Sequence, residues 1–194
     1  MSAGNGVVAA IKDDHRELER MFDRLADRPD AALLAEMSAL FLAHGKAEEA
    51  EVYPKMLERG GPDDKEEVFH GVEEHREAEE LLRKLQGISP GGPGFKAALK
   101  KFVDAVSHHV EEEESEVLPA LDRKMDAAES ARAEKAFRAA EAAEKKRLST
   151  TSGRDLDVMT KEELIAQANL KGLRATASST KDELKTELRA ALHP

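Results

Sequence analysis

The sequence predicts an all-α protein: an up-down-up-down four-helix bundle with a helical extension and a small C-terminal helical module. Three observations lead there. Composition favours helices over sheets, because Ala, Leu, Glu, Lys and Arg abound while the 194 residues include no Trp, one Tyr and six Phe. Four amphipathic patterns of helical period fill the first part of the chain, divided by short Gly/Pro breakers. The chain also repeats itself. DHRELERMF at 14–22 aligns with EHREAEELL at 74–82, and HGKAEEAEVYP at 44–54 aligns with HVEEEESEVLP at 109–119.

The first predicted helix runs from about Asn5 to Ala26 and carries Val8, Ile11, Leu18, Phe22 and Leu25 on one stripe. The second runs from about Asp30 to Glu58, with Leu33, Met37, Leu40 and Phe41 inward. The third starts near Asp63 or Asp64, both suitable N-caps, and ends near Gln86 with Val68, Val72, Leu82 and Leu85 on its apolar face. The fourth follows ISPGGPG at 88–94 and carries Phe95, Leu99, Phe102, Val106 and Val117. Short connections between long helices make consecutive helices antiparallel neighbours.

Residues 120–147 contain few large apolar side chains and read as an extension of the fourth helix or as a separate, mostly solvated helix. STTSG at 149–153 reads as a flexible linker. Beyond it, LDVMTKEELIAQANLKGL and SSTKDELKTELRAAL read as two short helices around an extended loop. The expected organisation is a bundle over 1–125, a basic helical extension and linker over 126–154, and a helical module over 155–194.

Several function classes drop out early. With no Cys, the chain has no disulfide, zinc–thiolate site, iron–sulfur cluster or Cys nucleophile. No apolar run is long enough to span a membrane, and the N-terminus lacks a signal-type pattern, so a cytoplasmic protein is the default expectation. Charge is unevenly spread. Residues 1–122 hold 15 Lys+Arg against 28 Asp+Glu, 123–154 hold 9 against 5, and 155–194 hold 6 against 7. The acidic first part suits cations and repels nucleic acid.

A helix turns about 100° per residue, which phases the histidines. His15 shares its stripe with Val8, Ile11 and Phe22, and His44 with Leu33, Met37 and Leu40. His75 lies with Val68, Val72 and Leu82, and His109 with Phe95, Phe102 and Val106. Glu48 and Glu113, four residues on, follow their histidines inward. A core that buries four imidazoles and two carboxylates must pair them or bind a cation. This donor set suits iron, manganese or zinc, and two carboxylates from opposite hairpins are placed to bridge two ions. Glu19 and Glu79 also follow an inward His by four and are candidate extra ligands or supporting groups. His70 would join only if its helix unwound locally. His108 is turned about 100° from His109, and it reads with His193 as a surface residue. Glu111, Glu112, Glu114 and Glu116 read as a solvated acidic face. Pro54 and Pro119 mark where each ligand-bearing helix bends or stops. Tyr53 reads equally as packing or as a hydrogen-bond donor.

Together DHRELE, HGKAEEAEVYP, EHREAEELL and HVEEEESEVLP resemble the hemerythrin-like, HHE cation-binding family over about residues 7–125. The order H…H-x-x-x-E…H…H-x-x-x-E is met at His15, His44, Glu48, His75, His109 and Glu113. The resemblance implies two iron ions in a non-haem di-iron centre, with the two glutamates bridging. Oxygen-carrying hemerythrins differ in having a His pair on the third helix and an Asp five residues after the fourth-helix His. Here His75 is followed by Glu79, and Glu113 stands at the shorter spacing. The chain is therefore more similar to bacterial hemerythrin-like proteins with peroxide, nitric oxide or oxygen-sensing roles.

The stretch 155–194, with Leu156, Met159, Leu164, Gly172 and Leu184, resembles the helix–loop–helix module at the N-terminus of the terminator Rho and, more loosely, SAP modules. That resemblance implies a weak nucleic-acid or protein partner. Lys171, Arg174, Lys181, Lys185 and Arg189 are the basic groups on offer, and no aromatic residue is present to stack on a base. Two expectations follow. One is a di-iron protein that binds or turns over O2, H2O2 or NO. The other is an oxygen, iron or redox sensor whose C-terminal module reports to nucleic acid or a partner. Iron buffering is a third, limited by the single internal site.

Overall fold

The computed structural model describes residues 6–149, 155–157, 159–171, 173, 175–176 and 178–192. Every regular element among them is helical. Helices α1 (Val7–Asp27), α2 (Ala31–Glu51), α4 (Pro62–Gln86) and α5 (Phe95–Glu112) form the antiparallel bundle, in which each helix packs against two others. Asp30 caps α2 by accepting from the Leu33 amide at 2.9 Å. Asp64, expected as a possible N-cap, instead stands inside the first turn of α4. It reaches back to accept from the Gly61 amide at 2.6 Å, because Pro62 opens the helix two residues earlier.

Helices α2 and α5 both change course next to their inward glutamate. After Glu48, α2 ends at Glu51, and the short α3 (Tyr53–Arg59) restarts with Pro54 in its first turn. After α5, a π-helical turn spans Glu113–Val117 and leads into α6 (Leu118–Arg123), with Pro119 in its first turn. Proline lacks an amide hydrogen and clashes with the carbonyl four residues back, so each helix must shift its bonding pattern there. The single second helix expected over 30–58 is thus two helices.

The core has two apolar clusters. One gathers Leu18, Phe22, Leu34, Met37, Phe41, Leu82, Phe95 and Phe102. The other gathers Ile11, Ala47, Met56, Val68, Val117, Leu118 and Phe137. Between them on all four helices lies the layer of His15, His44, Glu48, His75, His109 and Glu113. Each fully buried Leu or Phe contributes about 1.5–3 kcal/mol. The clusters above and below thereby hold in place a polar layer that would by itself disfavour folding.

Residues 127–149 form a separate helix, α7 (Ala127–Ser149), rather than an extension of the fourth. It turns back after Arg123 and packs along α2 and α1. Its expected solvation holds for one face only. Ala133 and Phe137 are buried in the second cluster, because a face built of alanines lets α7 approach α2 closely with one large side chain inserted.

The linker expected at 149–153 lies outside the described residues, except for Ser149 at the end of α7. The C-terminal stretch forms α8 (Lys161–Leu170) and α9 (Lys181–Leu192) around a small core of Leu156, Leu164, Ile165, Leu184 and Leu188. Helix α8 packs on α2 and α4, and the Asn169 side-chain amide donates to the Gln86 carbonyl at 2.6 Å. No helix among the described residues is long and apolar enough to cross a membrane.

Candidate metal centre

The helix phase places all six expected residues together. His15, His44, Glu48, His75, His109 and Glu113 are each at most 5% exposed. Their donor atoms form two groups that share Glu48. In the first, atoms of His15, His44, Glu48 and Glu113 all lie within 4.8 Å of one another, and in the second those of Glu48, His75 and His109 do. Nε2 of His15 and Nε2 of His44 are 3.2 Å apart, and the same atoms of His75 and His109 are 2.9 Å apart. Glu48 sends Oε1 to His44 Nε2 at 3.0 Å and Oε2 to His75 Nε2 at 3.3 Å. Glu113 Oε2 lies 3.2 Å from His15 Nε2.

These are short contacts, yet all four oxygens of Glu48 and Glu113 lack a hydrogen bond of good geometry. Buried carboxylate oxygens left this way cost several kcal/mol each. Imidazole nitrogens and carboxylate oxygens converging on common points are a donor set that a cation satisfies once the histidine protons leave. The residues therefore fit a bound metal ion.

The outward ring nitrogens explain why the inward ones are available. His109 Nδ1 donates to Glu74 Oε2 at 2.8 Å, His15 Nδ1 to Glu114 Oε1 at 2.9 Å, and His44 Nδ1 to Asp14 Oδ2 at 3.2 Å. In a neutral imidazole, a proton held at Nδ1 by a carboxylate leaves Nε2 with its lone pair toward the centre. Among the described residues His75 has no Nδ1 partner. It lies against Gly45, where an added Cβ would sit 3.2 Å from His75 Nδ1, and Tyr53 stacks on its ring at 5.9 Å between centroids. Helical spacing singles out none of Asp14, Glu74 and Glu114, and Glu114 leaves the solvated face that its spacing predicts. Asp14 and Glu74 carried a signal, as each immediately precedes a repeated histidine. Each serves the histidine of the neighbouring helix rather than its own.

Electrostatics agree. Burial opposes a charge on His44, but Glu48 and Asp14 outweigh it and push its pKa up to about 10 in the metal-free chain. Burial likewise opposes a charge on Glu48, and His44 and His75 nevertheless hold its pKa well below the usual carboxylate range. A cation entering here displaces a proton from His44. Burial and then the charges of Glu48 and Glu113 push the Tyr53 phenol well above its ordinary value, so it stays protonated. Its Oη is buried without a hydrogen-bond partner among the described residues.

The remaining candidates stand outside the layer. Glu19 pairs with Arg16 and its side chain is 47% exposed. Glu79 pairs with Arg83 at 3.8 Å. His70 and His108 lie on the surface, their side chains 51% and 63% exposed. His193 is outside the described residues.

The profile of the hemerythrin HHE cation-binding domain matches residues 6–121. The chain belongs to the hemerythrin HHE cation-binding family. The buried His/Glu layer fits the cation binding for which that family is named. A DNA nickase of Nostoc sp. is 28% identical over 142 residues, 71% of this chain and 40% of that protein. An uncharacterized hemerythrin-like protein of Schizosaccharomyces pombe is 28% identical over 125 residues, 62% of each chain. The chain thus spans less than two thirds of either relative. No solved structure matches it. Phe137 and Arg138 of α7 lie beyond the matched segment yet reach the centre. Phe137 packs edge-on against His44 at 5.7 Å, and Arg138 binds Asp14, the carboxylate behind His44.

Proposed function

We propose that this chain is a non-haem di-iron protein that binds or reacts with a small oxidant such as O2, H2O2 or NO. The observation that carries the reading is Glu48, whose two oxygens face two different imidazole pairs. One carboxylate aimed at two sets of donors suits two ions side by side, with His15, His44 and Glu113 around one and His75 and His109 around the other. Imidazole and carboxylate donors accept manganese and zinc too, and the family resemblance favours iron. A bound metal pair with an open position supplies Lewis acidity and electrons to a small ligand.

The protein's own contribution is separable from that chemistry. The carboxylates of Asp14, Glu74 and Glu114 fix three imidazole orientations. The two apolar clusters exclude water from above and below. Tyr53 holds a proton at Oη in the same cavity as Glu113 and His109, where it is placed to hydrogen-bond a small ligand. A cytoplasmic setting accords with this reading. Metal analysis and a visible spectrum of protein from iron-replete cells test it, followed by exposure to O2, H2O2 and NO. Two irons per chain and a spectrum that changes with one oxidant are expected. Protein that takes up no iron overturns the reading.

A second reading, a sensor that reports to nucleic acid through 155–194, draws on the DNA nickase relative. Charge weighs against it. Lys185 and Arg189 both pair with Asp157, at 3.1 and 2.8 Å. In the basic stretch Lys124 pairs with Asp64, Arg138 with Asp14, and Lys145 with Glu141. Phosphate binding needs clustered free cations. Gel-shift titrations of the full chain and of residues 1–148 at two salt concentrations decide between the readings. Binding that requires residues 155–194 and responds to iron or oxidant favours the sensor.

A further inference from the structure

Outside the buried layer, α4 and α5 carry two more His-x-x-x-Glu spacings: His70 with Glu74, and His108 with Glu112. The helices bring both pairs to one patch. His70 Nε2 lies 3.2 Å from Glu112 Oε2 and 3.8 Å from Glu74 Oε1. His108 Nε2 lies 3.3 Å from Glu112 Oε1 and 3.8 Å from the same Glu74 Oε1. Two imidazoles from two helices thus face the same two carboxylates. Neither carboxylate has a Lys or Arg partner among the described residues. Ligand atoms of His70, Glu74 and Glu112 all lie within 4.8 Å of one another, a spacing that one first-row divalent ion can span, and His108 stands beside them.

A second observation connects the patch to the interior. A narrow cavity, about 10 Å³ for the centre of a water-sized sphere, runs beneath it past Gly71, Glu74, His109, Glu113 and Tyr53. That is room for about one water or one ion. At its inner end Tyr53 Oη and both Glu113 oxygens are buried without hydrogen-bond partners. Gly71 keeps the cavity open, because a Cβ there would sit 2.9 Å from Tyr53 Oη. Glu74 faces both ways. Its Oε1 is toward His70 and His108, and its Oε2 accepts from His109. Burial and the negative charges of Glu116 and Glu112 raise the pKa of neighbouring Glu67, so the surround attracts cations.

We propose that His70, Glu74 and Glu112, with His108 beside them, form a surface site for a first-row divalent cation, which hands its ion inward along the Gly71–Tyr53 cavity to the buried layer. Its exposed histidines keep it wet and exchangeable, as a delivery site requires. The surface site stands on its own residues, whereas delivery rests on the buried layer being a metal centre.

The test is a Mn2+ titration of the metal-free full chain, with free Mn2+ read by electron paramagnetic resonance and uptake followed over time. The wild type is compared with the double variant His70→Ala/His108→Ala. Both replaced residues are on the surface, and circular dichroism verifies the fold. The wild type is expected to bind tightly held ions and one weak, exchangeable ion. The variant loses the weak ion, keeps the tight ones and fills them several-fold more slowly. An unchanged weak site overturns the surface site, and loss of the weak site without slower filling overturns delivery. A wild type with a His70-dependent weak ion but no tight ions would leave the surface site standing and defeat the metal-centre reading instead.

Discussion

Behind His44 stand Asp14, Arg138 and Phe137, all supplied or covered by α7, whereas behind His109 stands Glu74 and then the exposed His70 and His108. The inner atoms of the two halves are alike. Each half has an Nε2–Nε2 pair near 3 Å, an i+4 glutamate, and an acidic residue that precedes one histidine and serves the next. The internal repeat explains the likeness, because the same nine- and eleven-residue patterns build both hairpins. The difference comes from what packs outside. Helix α7 covers α1 and α2, while α4 and α5 are left open at Glu74 and Gly71. One half is therefore backed by the Asp14–Arg138 ion pair under α7, and the other by a cavity that leads toward the surface. Two halves with the same donors can then differ in how firmly they hold an ion and how easily a ligand or ion reaches them.

The comparison breaks most directly at the residue that joins the halves. Glu48→Ala is expected to lower bound iron well below two per chain, because both imidazole pairs lose an acceptor. Glu113→Ala acts in the same direction. Wild-type iron content in Glu48→Ala, measured by plasma emission spectrometry, would show that the halves do not share a ligand.

Next in size is the choice between adjacent histidines. His109→Ala should bleach the visible spectrum of the iron-loaded protein by removing one donor of the open half. His108→Ala should leave the spectrum of the fully loaded protein nearly unchanged. The reverse pattern would place α5 one residue out of phase.

The walled half is probed through its roof. Phe137 is fully buried against His44, so Phe137→Ala should destabilise the chain by about 3–5 kcal/mol, read from urea unfolding. A loss well under 1 kcal/mol would mean that α7 is dispensable to the wall.

The smallest differences sharpen the asymmetry. Removing a carboxylate behind a metal-bound histidine typically costs about 10–100-fold in metal affinity. Asp14→Asn should fall at the upper end, since it also removes the carboxylate that Arg138 binds. Glu74→Gln and Glu114→Ala should fall at the lower end, because solvent reaches both positions and can replace the lost acceptor. Competition titrations with a chelator rank the three. A larger loss for Glu74→Gln than for Asp14→Asn would invert the assignment of closed and open halves.

Much of this was legible in the chain. The 3.6-residue period set the inward face of each helix, and the same phase put His15, His44, His75 and His109 on those faces with Glu48 and Glu113. That reading succeeded because a buried position on a long amphipathic helix depends on spacing alone. It failed where a residue lies at the edge of a stripe. Asp14 and Glu74 sit one residue before their histidines, about 100° around the helix, and only the neighbouring helix turns that edge into a contact. Glu114 lies at the start of the π-helical turn, where the ordinary period no longer predicts direction. Among seemingly similar acidic neighbours, the fold brought Glu114 to His15 and Glu112 to the surface histidines.

By itself the sequence determined the helices, the repeat, the six inward donors and the breaks at Pro54 and Pro119, all local or periodic properties of one segment at a time. Only the tertiary structure decided that α7 folds back over the first hairpin, that Asp14 serves His44 and Glu74 serves His109, and that α8 docks on α2 and α4. Those outcomes depend on distances between segments far apart in the chain, such as the 124 residues separating Asp14 from Arg138. No periodicity within a helix encodes such a distance. It is set when apolar faces close against one another, and the polar groups at their edges then take whichever partner the packing brings within reach.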